Sequence, residues 1–171
     1  YISKDVAWDI SHSRRLVPAL ETFVRNRRNI KALWGYDNPA FDPIAIRNAY
    51  ANQIVEKIWN GDINYPLFSN FWSGDNGWYR VAYVHQTGRR FIGYPPYGLS
   101  SSMPLGGYPA WGNFHLTLKT IFRNIFELSH TNDSKTKSFI SENYQGLLVN
   151  RSDKTSTKPI QNLSFLSVLI E

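Results

Sequence analysis

The sequence predicts a mainly α domain, built of helical hairpins with long aromatic loops and one small β-hairpin. Three observations point there. Apolar residues recur at helical spacing in residues 9–27, 43–59 and 113–128. One run, residues 78–84 (WYRVAYV), has strand composition instead. The connections, above all residues 93–112, are longer and richer in rings than a plain bundle needs, and long connections often carry function.

The elements follow in order. In residues 9–27, Leu16, Leu20, Phe23 and Val24 mark an apolar stripe, and either Asp9 or Ser11 can cap the start. Pro18 implies a kink, or a true start at Val17 with the proline in the first turn, where its missing N–H costs nothing. Residues 29–42 read as irregular, with a short turn through Ala32, Leu33 and Trp34. The next helix, 43–59, is the clearest. Asp42 is its cap, Pro43 its first residue, and Ile46, Tyr50, Ile54 and Ile58 recur every four residues. Gly61 follows as a terminator. Residues 78–84, a turn at Gln86, Thr87 and Gly88, and a return over 89–94 suggest the hairpin. Phe114, Leu118, Ile121, Phe122, Ile125 and Leu128 give the buried face of a helix over 113–128. Residues 138–149 read as a short helix that breaks at Gly146, 150–158 as a linker, and Pro159 as the opening of a last helix through Leu163, Leu166 and Ile170.

The chain has 171 residues, enough for one domain with a core, and it reads as a processed chain or part of a longer one. It has no cysteine, which excludes disulfides, thiolate metal sites and a cysteine nucleophile. Its four histidines, at 12, 85, 115 and 130, lack zinc-motif spacing, and no phosphate-binding glycine loop or nucleophile elbow occurs. Neither metal nor cofactor is expected. No apolar run is long enough to span a membrane. The net charge of +6 suits an anionic partner (an acidic glycan, nucleic acid or a membrane surface) and equally serves solubility alone.

Three stretches carry candidate chemistry. The first is WDISHSRR at 8–15, where Asp9 and His12 stand three apart, so both face one side of a helix start, with Arg14 and Arg15 beside them. Histidine serves as general acid or base near neutral pH, and arginine holds a carboxylate or sulfate by two parallel hydrogen bonds. The same residues also read as a cap, a packed ring and solvated charges. The second is FWSGDNGWYR at 71–80. Its Gly, Asp and Asn are turn formers, while Trp72, Asp75, Trp78, Tyr79 and Arg80 are what a sugar site uses: rings against the apolar sugar face, a carboxylate for its hydroxyls. The third is the uncharged loop of residues 92–112 together with its hairpin, carrying Tyr83, His85, Arg89, Arg90, Tyr94, Tyr97, Tyr108 and Trp111, with the loop stiffened by Pro95, Pro96, Pro104 and Pro109. It reads either as the preorganised wall of a cleft or as a loop that buries its rings in a satellite core.

Taken in order, WDISHSRR, the NGWYR segment and the GYPPYGLS loop resemble part of a bacterial (α/α) toroid domain of polysaccharide-processing enzymes, over about residues 8–128. In such domains helical hairpins form a ring whose long connections line a glycan cleft. The resemblance implies Asp9 and His12 near the cleft, with Trp72, Asp75, Trp78, Tyr79 and Arg80 along it. A complete toroid has many more helices, so 171 residues would make about half of one.

The expected function is a domain that binds, and cleaves, an acidic polysaccharide by β-elimination. His12, Asp9, Asp75 and Tyr79 form the catalytic set; Arg14, Trp72, Trp78, Arg80, Tyr94, Tyr97 and Trp111 bind substrate. Hydrolysis by a carboxylate pair such as Asp9 and Asp75 is the nearest alternative. A non-catalytic module that binds glycan or protein, as part of a larger assembly, is the alternative from another class. Nucleic-acid binding ranks third, since the basic residues are spread along the chain and no known module appears. A periplasmic or extracellular location goes with the glycan reading.

Overall fold

A computed structural model of the chain describes residues 7–34, 42–147 and 165–169. The fold is mainly α, as expected, and no sheet forms among the described residues. The expected linker at 150–158 and the start of the last helix at Pro159 lie outside them.

Helix α1 is one turn, Ile10–Ser13, and α2 runs Leu16–Trp34 after a break at the two arginines. Pro18 falls in the first turn of α2, so the helix interior keeps its hydrogen bonds. Val17, Leu20 and Val24 of α2 are buried. The helix continues well past the end expected at Arg27. Periodicity could not show this, because the added turns bury little: Leu33 is 79% exposed. Helix α3, Pro43–Gln53, starts as expected, with the Asp42 carboxylate accepting from Ile44 N–H at 2.9 Å. It widens into a π-helical turn over Ile54–Ile58, where Trp59 N–H reaches back to the Ile54 carbonyl. Ile54 and Ile58 are fully buried there.

Residues 59–101 are irregular. The hairpin expected over 78–94 is corrected to two arms that touch at isolated antiparallel bridges, Tyr79 with Tyr94 and Val84 with Arg90. Arg80 and Ala82 take left-handed backbone (φ 54° and 56°), which breaks the pleat a ladder requires. Short α4, Ser102–Leu105, and a 3₁₀ turn, Tyr108–Asn113, lead to α5, Leu116–His130. Helix α6, Ser134–Asn143, starts earlier than expected because Asp133 caps it, accepting from Thr136 N–H at 2.9 Å. A 3₁₀ turn, Gln145–Leu147, and the short α7, Leu166–Leu169, complete the described elements.

The core lies around α5, whose Leu118, Ile121, Phe122 and Ile125 are buried against Phe68, Trp111, Tyr144 and Phe165. Residues 93–112 are therefore not simply the wall of a cleft. Tyr108 and Trp111 are fully buried and meet edge to face at 5.5 Å between ring centres. Trp111 is corrected from a substrate-binding residue to a core residue: a ring sealed from solvent cannot stack on a sugar.

Candidate functional site

The site is built on the cap of α1. Asp9 is extended (φ −77°, ψ 153°), and its carboxylate accepts from Ser11 N–H at 3.1 Å, from the Ser11 hydroxyl, and from His12 N–H at 3.2 Å. This is ordinary capping. What capping does not require is the fourth donor. His12 Nδ1 lies 2.8 Å from Asp9 Oδ2 and 3.0 Å from Oδ1. Facing a carboxylate, Nδ1 carries the ring hydrogen, which leaves the Nε2 lone pair available in the neutral ring. Nε2 makes no hydrogen bond among the described residues, and the His12 side chain is 33% exposed.

Residues far along the chain complete the group. Ile10 N–H donates to the Asn70 carbonyl at 3.0 Å, and Trp72 N–H to the Trp8 carbonyl at 2.7 Å, so the entry to α1 lies along residues 70–72. That docking brings in the next segment. The Tyr79 hydroxyl lies 3.5 Å from His12 Nδ1 and accepts from Arg80 Nε at 2.9 Å. Tyr79 also meets Tyr94 (ring centres 6.1 Å apart) and the edge of Phe71. The Arg80 guanidinium spans Tyr79 and Tyr83, at 5.3 and 4.9 Å from their ring centres.

The electrostatics follow from this packing. Burial alone would push the Asp9 carboxyl up, but hydrogen bonds from Ser11 and His12, with the histidine's charge, outweigh it and hold the carboxyl below its ordinary value of 3.8. Burial and the neighbouring Asp9 push the Tyr79 phenol up, against the pull of Arg80. Tyr79 therefore keeps its proton at neutral pH. The group comprises an oriented histidine, a protonated phenol and a guanidinium in one place.

Of the residues expected from sequence, Asp9, His12, Tyr79, Arg80 and Tyr94 come together here. Trp78 adjoins them and is 54% exposed. The others do not join. Arg14 is exposed at the far end of α1, where its backbone N–H donates to the His12 carbonyl; among the described residues its side chain makes no hydrogen bond or ion pair with Asp9 or His12. Asp75 is exposed at a turn, its carboxylate accepting from the Ser73 hydroxyl at 2.6 Å. Trp72 packs half-buried against Tyr50 and Tyr108. Tyr97 is half-buried in left-handed backbone (φ 64°), held by its N–H on Asn76 Oδ1 at 2.7 Å.

Sequence reasoning passed over Asn70, whose amide is the staple of the site. It is fully buried, donates to the Gly77 and Pro95 carbonyls at 2.8 Å each, and accepts from Leu99 N–H at 2.9 Å. Nothing in the sequence distinguishes it from any other loop asparagine. Among the described residues, no cluster of three or more histidines and carboxylates stands where it could hold a metal ion. Comparison with protein-family models, with curated proteins and with solved structures finds no match.

Proposed function

We propose that the chain is a carbohydrate-active domain that binds an acidic polysaccharide and cleaves it by β-elimination. One observation carries the reading. Asp9 orients His12 with Nε2 left unengaged, beside a phenol that keeps its proton and an arginine. Elimination next to a uronate needs those three groups. Arg80 neutralises the uronate carboxylate and so acidifies the carbon beside it. His12 Nε2 removes that carbon's proton. The electron pair forms the new C=C bond, the bond to the glycosidic oxygen breaks, and the Tyr79 hydroxyl protonates the departing oxygen. Exposed Trp78 and Tyr94 offer ring faces to the neighbouring sugars. The domain would then sit as one wall of a larger toroid-like cleft, in a periplasmic or extracellular setting where such glycans occur.

Hydrolysis fits the site less well. A hydrolase acid needs a carboxyl with a raised pKa, and the Asp9 carboxyl, despite its burial, is held below its ordinary value by the Ser11, His12 and Tyr79 side chains. The test is incubation with a panel of uronate polymers, followed by the ultraviolet absorbance of unsaturated chain ends. Absorbance should rise for at least one polymer. His12→Ala should abolish the rise with circular dichroism unchanged, and Tyr79→Phe should lower kcat by about 10²–10⁴-fold. If no polymer yields unsaturated ends, the catalytic reading fails and a binding module takes its place. Undiminished turnover in His12→Ala would remove the histidine from the mechanism.

A further inference from the structure

The arm of residues 78–94 has two parts. Its base, Tyr79, Arg80 and Tyr94, belongs to the site above. Its outer part meets the site only where the Tyr83 ring lies under the Arg80 guanidinium, and it leaves apolar side chains in solvent: Val81 is 60% exposed, Tyr83 47%, Val84 51% and Ile92 86%. Single exposed apolar residues are ordinary, but this many within one short arm mark an interaction surface. The arm is internally braced, with Phe91 N–H on the Tyr83 carbonyl at 2.9 Å and the two rings 6.3 Å apart. Its apolar exposure is therefore a property of a folded element.

The charged residues of the arm itself, Arg80, Arg89 and Arg90, have one sign. Arg89 and Arg90 follow directly on the arm's outer turn, Arg90 paired with Val84, and the sequence contains no Asp or Glu between Asp75 and Glu127. We infer that the outer part of the arm is a membrane-surface anchor, with Val81, Tyr83, Val84 and Ile92 entering the interface of an anionic bilayer and Arg89 and Arg90 binding lipid phosphates. Other occupants fit less well. Val81, Val84 and Ile92 supply neither a ring face nor a hydrogen bond, so they have nothing to offer a glycan. A second copy of the arm would bring the same arginines against each other. An anionic bilayer accepts aliphatic groups, an interfacial tyrosine and arginines together. No described helix is long and apolar enough to cross a membrane.

The experiment needs no turnover and stands apart from the catalytic reading. Sedimentation with vesicles of equal parts phosphatidylglycerol and phosphatidylcholine should pull the protein down, and vesicles of phosphatidylcholine alone should not. Arg89→Ala with Arg90→Ala should weaken binding by about tenfold or more, and raised salt should do the same. Ile92→Asp should weaken it comparably while circular dichroism stays unchanged. The chain has no cysteine, so Ile92→Cys takes a single polarity-sensitive dye. Its emission should shift to the blue on anionic vesicles, while dye on Ser138→Cys, at an exposed position of α6, should not shift. Failure to bind vesicles, undiminished binding by the variants, or capture by a soluble polyuronate without capture by vesicles would overturn the anchor.

Discussion

Asp9 does two jobs with one carboxylate, and the two can be separated. As a cap it satisfies N–H groups at the start of α1; as a partner of His12 it sets the ring's tautomer. Asparagine caps about as well as aspartate but carries no charge. Asp9→Ala should therefore lower stability by about 1 kcal/mol in denaturant unfolding, and Asp9→Asn by less. Acid dependence should differ too. The Asp9 carboxyl is held below 3.8, so its hydrogen bonds contribute in full above that value and are lost as pH falls through the lower, folded-state value. Unfolding free energy should thus fall on acidification below about pH 4, and the fall should be smaller in Asp9→Asn. The dyad was legible because Asp9 and His12 are three residues apart, a spacing that local helix geometry converts directly into contact. Tyr79 was legible only by type: no local rule joins residue 12 to residue 79.

Between helices, the decisive element is the irregular stretch through residues 68–77. It has no repeating backbone pattern, so its shape rests on side-chain staples, chiefly Asn70 and Asn76. Asn70→Ala would remove the donor of the Gly77 and Pro95 carbonyls and strand the buried Leu99 N–H. The expected cost is about 2–3 kcal/mol, read as a lower denaturant midpoint with unchanged slope. Unsaturated-end formation should fall along with it, because Gly77 precedes the segment that carries Tyr79. Helices with caps and apolar stripes were legible in sequence; this stretch was not, since asparagine side chains bond wherever the chain brings an acceptor. The arm of residues 78–94 shows the converse. Its strand-like composition was real, but left-handed Arg80 and Ala82 prevent a ladder.

Across the molecule, one close approach ties the 3₁₀ turn of residues 108–113 to α5 and α7. A Cβ on Gly112 would stand 2.5 Å from Val168 Cγ1 and 3.1 Å from Lys119 Cα. Gly112→Ala should destabilise the fold by about 1–3 kcal/mol in thermal or denaturant unfolding, since a stiff valine and a helix backbone would both have to give way. The same packing explains the divided fate of the aromatic residues. Trp111 and Tyr108 fill the core, while Trp78 and Tyr94 stay at the surface, Tyr94 against the Tyr79 ring. By itself the sequence determined the α class, the capped start of α3, the buried face of α5 and the Asp9–His12 pair, because each depends on neighbours within about one helical turn. Only the tertiary structure decided which rings meet solvent, and that Tyr79 and Arg80 arrive beside His12. Those outcomes depend on buried contacts between segments tens of residues apart, and such contacts leave no periodic trace in the chain.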